Sequence, residues 1–432
     1  MFKVQLNEQG KRYIEINKEK YKELGRTVEL QIGQCKEVLK VKKNRLIEQD
    51  VISIPTYFEK GIELPIEIPF EVKVLENTIR IGPVIGILGC RRKKDLTQEL
   101  LQLILMRFVD YDSIKGLIYT FTEDSVNYYK RIIEGYYYSP TEKSWKPGIF
   151  PYPNAIFVNK DSMSSKMYNH FVQIIGNKVF YSQHLSKWVQ HQLISKNHIL
   201  KQYLPHTIPF KSTKGLIYML NKYGSVYLKP NQSYQGKGMY SIKLTKRGYV
   251  VKDAFNQLTI LYSWHQLSSF VMTKMYGRSY LIQQSVPFQY KNRIVDFRVY
   301  LQKDRYKKWF CPGITTRISN EESIITNSRN RAGLLEADEG FRQLFSISNE
   351  ESKRIQQKMI EVCTKIASLI ENEGIHLGDV AFDVIVDSNL RIWLLELQGG
   401  YSVETKKGEI PPHIFYKLLT TPLEYAKTLA GF

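Results

Sequence analysis

Cysteine is scarce in this chain. Cys35, Cys90, Cys311 and Cys363 are the only four in 432 residues, and none is spaced for a zinc site or a redox dithiol. Four unpaired thiols in a reducing cytosol is the simplest expectation. Long apolar runs are missing too. The strongest, LLQLILM from Leu100, soon meets Arg107 and Asp110, and the opening MFKVQLNEQG turns polar within four residues. Neither a membrane span nor a secretion signal is expected. There is no G-x-x-x-x-G-K-[ST] loop, no G-x-S-x-G elbow and no Cys–His arrangement for a hydrolase. Internal repeats of fixed period and low-complexity tracts are also missing. Acids are absent locally: from Ser162 through Lys252, 91 residues hold 14 Lys or Arg and no Asp or Glu.

The residues that are present describe a folded chain with room for two or three domains. Forty-three per cent are hydrophobic, and the formal net charge is +20. Between Ser162 and Val295 the balance is 18 bases against Asp253, so +17 of that charge lies in one region. Such a field attracts a polyanion and exceeds what one nucleotide requires, which leaves room for an anionic peptide or polymer as substrate. A solvated basic surface is the plain alternative. No nucleic-acid reader motif accompanies the charge, so nucleic acid ranks last among the partners.

Periodicity divides the chain into three. Residues 1–80 carry short β-like runs (YIEI, TVELQIG, EVLKVKK, FEVKVL) between Gly, Pro and Asn, which predicts a β-rich N-terminal domain. Residues 81–160 begin with the apolar strand IGPVIGILG, followed by the helical QELLQLILMRFV and the strand-like GLIYTF. That β-α-β order predicts a small α/β domain reaching about Lys160. The tract EGYYYSPTEKSWKPGIFPYPN, rich in Tyr, Pro and Gly, reads as a long loop. Residues 161–425 mix helices and strands, with one helix expected from about Leu185 to Leu200. A long amphipathic helix should carry Ile355, Met359, Ile366 and Ile370 on one face, with Ser348 and Glu351 at capping-box spacing and Gly374 at its end. His184, His191 and His198 recur every seven residues, but seven residues rise roughly 10 Å along a helix, too far to share one zinc. A polar helix face is expected instead.

Two stretches carry chemistry. SVYLKPNQSYQGKGMY places Lys229 at a strand end, ahead of a loop with Gly236, Lys237 and Gly238. Glycine-rich backbone with a lysine is a phosphate cradle, although Gly-Lys-Gly alone is more often a hairpin turn. GDVAFDVIVDSNLRIWLLELQGG sets Asp383 and Glu396 thirteen residues apart on what read as neighbouring buried strands, with Gln398 on the same strand face as Glu396. Two carboxylates and an amide carbonyl are hard oxygen ligands suited to magnesium. Buried salt bridges are the other reading of the two acids. Together the stretches imply one site for ATP and Mg2+.

The ordered series LSKW, VYLKP, SYQGKGM, YLIQQSV, VDFRVYLQ, TTRIS, ITNS, FDVIVD and LLELQ resembles the ATP-grasp enzymes, and more closely the YheC/YheD family associated with the bacterial endospore coat. The resemblance covers roughly residues 81–425. It implies an α/β and α+β multidomain chain in which an ATP-grasp domain, 161–425, follows a small α/β domain and the N-terminal β-rich domain. It also implies roles. Lys187 and Lys229 would be the nucleotide lysines, and residues 233–239, with Ser233, Gln235, Gly236, Lys237 and Gly238, the mobile loop. Gln283 and Gln284 would meet the adenine edge, and Asp296 would lie near the ribose or phosphates. Arg298, Arg317 and Asn327 would face the transferred phosphoryl group. The implied activity is an ATP- and magnesium-dependent carboxylate–amine ligase acting through an acyl phosphate. The implied location is the mother-cell cytosol and spore coat, with coat proteins as partners.

Two departures set this chain apart from the family pattern. Gln398 stands where Asn is usual, and the glycine pair that commonly follows the Asn327 motif is missing, NSRNRAG leaving only Gly333. Both lie near the acceptor and metal positions. A noncatalytic ATP-binding scaffold of the coat is therefore the alternative function.

Overall fold

The computed structural model describes residues 3–432 apart from 8–10, 20, 22, 23, 56, 57, 59, 60, 63, 66, 160–162, 181–184, 234, 235, 287, 402 and 404–407. Lys160, Ser162, His184 and Gln235, named above, lie outside the described residues.

Four sheets organise the chain. The first runs Lys3–Leu6, Val51–Ile54, Tyr13–Asn17, Cys35–Asn44, Thr27–Ile32, Thr78–Gly82, Glu71–Leu75. Alternation forms its strands: in Thr27–Ile32, Val28, Leu30 and Ile32 are buried while the residues between them are not. The second runs Ser144–Pro151, Ile132–Ser139, Leu117–Asn127, Val84–Cys90, Ala155–Val158, Val179–Phe180. Val84–Cys90 is buried along its whole length and pairs in parallel with a strand on each side, as a continuous apolar run requires.

The tyrosine-rich tract, expected to be a loop, is an antiparallel hairpin of Ile132–Ser139 and Ser144–Pro151. Aromatic residues favour the pleated surface, and Pro140 falls in the turn rather than in a strand. Tyr138 packs tilted against Phe108 at 4.5 Å between ring centres, and Trp145 meets it edge-on at 5.1 Å.

The remaining two sheets face each other across a cleft. The first lobe is the antiparallel sheet Thr207–Pro209, Tyr280–Gln284, Ser225–Pro230, Tyr240–Thr245, Gly248–Asp253, Leu258–Leu261. Helices Thr213–Tyr223 and Trp264–Met275 cover one face, packing Leu216, Leu220, Leu267 and Val271 onto Val226, Ile242, Val251 and Ile282. The second lobe runs Arg331–Glu336, Ile314–Ser319, Arg293–Lys303, Asp379–Val386, Ile392–Gln398. Helix Asn349–Asn372 covers its back, setting Ile355, Met359, Ile366 and Ile370 against Phe297, Val299, Phe382 and Val384. Ser348 caps this helix by accepting from the Glu351 amide at 3.2 Å, and Gly374 follows its end with φ +85°.

The helix expected over Leu185 to Leu200 is two, Lys187–Ser195 and His198–Lys201, because Asn197 caps the second by accepting from the Ile199 and Leu200 amides. His191 and His198 thus do not share one helix face. His191 instead stacks on Trp188.

The last helix, Pro412–Ala430, joins the lobes to the earlier sheets. Ile414, Leu418 and Leu419 pack on Tyr300 and Ala381 of the second lobe, while Leu423, Tyr425, Ala426 and Leu429 belong to the core of the first two sheets. The Arg80 guanidinium donates to the Ala430 carbonyl at 3.1 Å.

Candidate functional site

The strand period decides what faces the cleft. In Arg293–Lys303 the odd residues Phe297, Val299 and Leu301 enter the helical core, so Asp296 and Arg298 point the other way. Register then assembles the second wall. Arg298 is opposite Thr315 on one side and Asp383 on the other, and Asp383 is opposite Glu396, giving one row across four strands. Asp296 lies opposite Arg317 in the next row.

Every charge on this wall has a partner. Asp296 accepts from Arg317 at 2.6 and 2.8 Å and from the Thr326 hydroxyl at 2.5 Å. Arg317 also reaches Asp383 at 3.1 Å, and Arg298 grips both Asp383 oxygens at 2.9 and 3.1 Å. Burial alone would raise the Asp383 pKa, but the two guanidiniums outweigh it and hold the carboxyl at about 2. Burial likewise opposes the Arg317 charge, yet Asp296 and Asp383 keep it firmly protonated. Glu396 accepts from Lys187 Nζ at 2.6 Å.

The first wall is less balanced. Lys229 and Tyr227 project from Ser225–Pro230 on the face away from the helices, beside Gln283. Lys229 Nζ donates to the neutral amide oxygen of Gln283 at 2.5 Å, and Gln283 Nε2 donates to the Thr207 hydroxyl at 3.0 Å. Burial pulls the Lys229 pKa down to about 8. The carboxylate of Glu396 offsets part of this, and the charge of Lys187 adds to it. The Tyr227 phenol is pushed up to about 12 by burial and then by Asp296.

Helix Lys187–Ser195 bridges the walls. Ser186 caps it, Asn231 accepts from the Trp188 amide at 2.9 Å, and Gln190 bonds both the amide and the carbonyl of Leu397. Lys187, Gln190, Thr207, Lys229, Gln283 and Glu396 line one narrow pocket, whose apolar sides are Ile194, Leu204, Leu281, Leu394 and Leu395.

Above the pocket, the glycine-bearing loop closes toward the segment 320–330. Gly236 and Gly238 have φ of +72° and +76°. A Cβ on Gly236 would sit 2.6 Å from Ile325 Cδ1, and one on Gly238 would sit 2.9 Å from the Tyr280 hydroxyl, so both need glycine. Ser233 Oγ donates to the Lys237 carbonyl at 2.7 Å, and Lys187 reaches the Ser233 carbonyl at 3.3 Å. Ala254, Ile324, Ile325, Tyr227 and Met239 form a small apolar cluster, flanked by Lys252 on Glu322 and by Asn330 Nδ2 on the Ala254 carbonyl.

Lys187, Lys229, Gln283, Asp296, Arg298, Arg317, Asp383 and Glu396 are thus brought together. Gln398 shares the strand face of Glu396, one step from the row, opposite Ala381. Gln284 is turned away: strand alternation sends its side chain to the other face, where Oε1 accepts from the His206 amide at 3.2 Å. Asn327 shapes its own turn, accepting from the Arg329 and Asn330 amides. Thr207, Tyr227, Thr326 and Gln190 were not singled out in the sequence. Thr326, next to Asn327 in ITNS, had the clearest signal.

Among the described residues no group of three or more His, Cys, Asp or Glu is placed to hold a metal ion. Both candidate carboxylates are ion-paired. Glu396 nevertheless has a second oxygen, and with Gln398 it offers hard, partly exposed donors suited to a magnesium ion that keeps waters and phosphate oxygens as its other ligands. No helix among the described residues is long and apolar enough to cross a membrane.

Residues 176–429 match the family described as YheC/D like ATP-grasp. The chain is similar to the Endospore coat-associated protein YheD of Bacillus subtilis (strain 168), 26% identical over 380 residues, 82% of this chain and 80% of that protein. It is also similar to the Endospore coat-associated protein YheC of the same organism, 20% identical over 258 residues, 56% of this chain and 67% of that protein. Among solved structures, the VanG D-Ala:D-Ser ligase of Enterococcus faecalis aligns with a TM-score of 0.47 at 12% identity, covering 79% of this chain and 98% of that one.

Proposed function

Because this chain belongs to the YheC/D-like ATP-grasp family, we propose that its cleft binds ATP and joins a carboxylate to an amine. One observation carries the reading. One pocket with apolar sides is lined by both Lys187 and Lys229, and it shares Glu396 with the row of Arg298 and Asp383. Lys229 is a half-buried ammonium bonded to an amide rather than directly to a carboxylate, so phosphate oxygens would gain a charge-assisted bond there.

The chain's residues then have distinct tasks. Gln283 orients Lys229, and Lys187 ties the loop at Ser233 to Glu396. Ser233, Gly236, Lys237 and Gly238, with Gln235, would fold over the phosphates and exclude water. Arg298 and Arg317 would hold the substrate carboxylate while one of its oxygens takes the γ-phosphoryl group and ADP leaves. The amine then attacks the acyl carbon, phosphate departs, and the nitrogen loses its proton. Asp296 would keep Arg317 aimed, and Asn327 would hold the turn beside it. Magnesium, for which Asp383, Glu396 and Gln398 are the candidate ligands, would supply neutralisation of charge developing on the phosphates.

The acceptor class fits an anionic peptide or polymer, given the charge of residues 162–295. The relatives' association with the endospore coat supports a place in the mother-cell cytosol and spore coat, with coat proteins among the partners. A second reading, a nucleotide-binding coat scaffold without turnover, is favoured by Asp383, whose two oxygens are both held by arginine.

Purified protein incubated with ATP, magnesium and pools of amino acids or acidic peptides separates the two. ADP release that requires both a carboxylate and an amine, with an amide product found by mass spectrometry, is the ligase outcome. Tight ATP binding with no ADP from any pool is the scaffold outcome.

A further inference from the structure

The cleft face of the first lobe does not stop at the nucleotide pocket. One transverse row of its sheet runs Thr207, Gln283, Tyr227, Ser241, Lys252, Leu258, so the outermost residue shares a face with Gln283. The next row runs Ser225, Lys243, Val250, Ile260. Three strand spacings, roughly 14 Å, separate Ser225–Pro230 from Leu258–Leu261. Leu258 and Ile260 are 55% and 49% exposed, and Phe255, in the adjoining turn, is 75% exposed.

Leu258–Leu261 is also the edge of its sheet. Edges that remain unpaired in solution usually carry lysine, proline or a bulge. LTIL has none of these, and its register with Gly248–Asp253 is unbroken. Charge selects the occupant. Between Thr207 and Gln284 eleven Lys or Arg stand against Asp253 alone. Lys246 and Arg247, in the turn that joins Tyr240–Thr245 to the adjacent strand Gly248–Asp253, are exposed, and among the described residues they form no ion pair. Leu258 and Ile260 are aliphatic, a good platform for apolar side chains, and the exposed rings of Phe255 and Tyr262 lie beyond the two ends of the strand rather than along it.

We propose that Leu258–Leu261 receives an extended acidic peptide as an added strand. Its backbone would pair with the edge, its apolar side chains would rest on Leu258 and Ile260, and its carboxylates, on the alternate positions, would meet Lys246 and Arg247 of the turn beside the Leu261 end. The docked chain would extend the sheet beyond Leu258–Leu261, and its side chains on Leu258 and Ile260 would share the face of the nucleotide pocket, across which a polymeric carboxylate substrate would reach. That last assignment rests on the ligase reading, whereas the docking itself does not.

The test uses the full chain and a fluorescein-labelled ten-residue peptide of alternating Glu and Val, followed by fluorescence anisotropy. The controls are the same peptide N-methylated at every second amide, the Lys–Val counterpart, and a single-stranded DNA ten-mer. The Glu–Val peptide should bind, lose affinity in high salt, and lose roughly tenfold or more on the combined Leu258→Ser and Ile260→Ser substitution, with ATP affinity and melting temperature unchanged. N-methylation should abolish binding, because it removes the amides that pair with an edge. Lys229→Ala should weaken ATP binding roughly tenfold or more yet keep the peptide, which separates failure of the nucleotide site from failure of the docking strand. Absent binding, equal binding of the N-methylated or Lys–Val peptide, tighter binding of the DNA, or full affinity in the folded double variant would each overturn the proposal. Peptide docking with no ADP release once ATP, magnesium and a pool of amines are added would overturn the ligase reading and leave the docking strand standing.

Discussion

The two walls of the cleft solve opposite electrostatic problems. On the second wall Asp296, Arg317, Asp383 and Arg298 neutralise one another in a continuous chain of bonds, and Glu396 is matched by Lys187. On the first wall Lys229 is half-buried beside an amide, within a lobe that has one acid against eleven bases. A balanced wall keeps its geometry without help, because each charge fixes its neighbour. An unbalanced wall stores an unfavourable desolvation that an anion relieves. One side is therefore built for position and the other for attraction, and substitutions should separate the two.

The sharpest contrast is in stability. Arg317→Met would leave Asp296 buried without its guanidinium partner and strip Asp383 of one of two, so urea unfolding at pH 7 should show a loss of about 3–5 kcal/mol. A loss below about 1 kcal/mol would mean that the second wall is not the interlocked unit described. On the first wall Lys229→Ala should instead weaken ATP by about 1–3 kcal/mol in a calorimetric titration while the fold survives. Unchanged affinity would remove Lys229 from the nucleotide site.

A subtler consequence follows from the Lys229 pKa of about 8. The unfolded chain holds that proton up to about pH 10.4. Between the two values the unfolded state binds more protons, so stability should rise with pH across that window. Below pH 8 the charged lysine opposes folding in full. Lys229→Met should accordingly stabilise the protein by about 1–2 kcal/mol at pH 7, solvent screening of a partly exposed ammonium allowed for, with the gain fading as pH rises from 8 toward 10. Destabilisation at pH 7 would show that the first wall was balanced after all. Phosphate binding should restore the proton, so near pH 8 ATP should draw about half a proton from the buffer, readable from titrations in buffers of different ionisation heat. The smallest effect is on closure. Gly236→Ala would force a strained backbone and press on Ile325, and should weaken ATP by about 1 kcal/mol with little change in melting temperature.

The parts of this arrangement that obey short-range rules could be read in the sequence. A separation of thirteen positions between Asp383 and Glu396, with a turn of Ser388 and Asn389 midway, puts the two acids on the two arms of one hairpin, although the bulge beside Asp383 that sets them directly opposite one another had no local signal. Ser348 before Glu351 foretold the start of a helix, because a cap is a four-residue affair. The opposition of Asp296 and Arg317, 21 positions apart, depends on the register of two strands whose connection has no turn signature of fixed length, and nothing local specifies it. The Gln283–Gln284 pair shows the same limit. Alternation guarantees that only one faces the cleft, but choosing which needs knowledge of the side the helices cover. The tyrosine tract misled for another reason. Proline and glycine read as loop, yet Gly135 and Gly148 are cross-strand partners inside the hairpin, where Tyr and Trp supply the sheet preference. Gln235 cannot be compared in this way, since it lies outside the described residues.

The helix Pro412–Ala430 carries a consequence for how the molecule comes into being. Its Leu423, Tyr425, Ala426 and Leu429 complete the core around Val84–Cys90 and Ala155–Val158, strands that leave the ribosome more than two hundred residues earlier. During synthesis that sheet must wait with an uncovered apolar side while both lobes are made, so the first half of the chain is the last to be finished. A ribosome-bound chain stopped before Pro412 would present that side to chaperones, and release of the final helix would close the cleft's foundations and the older sheet in one event.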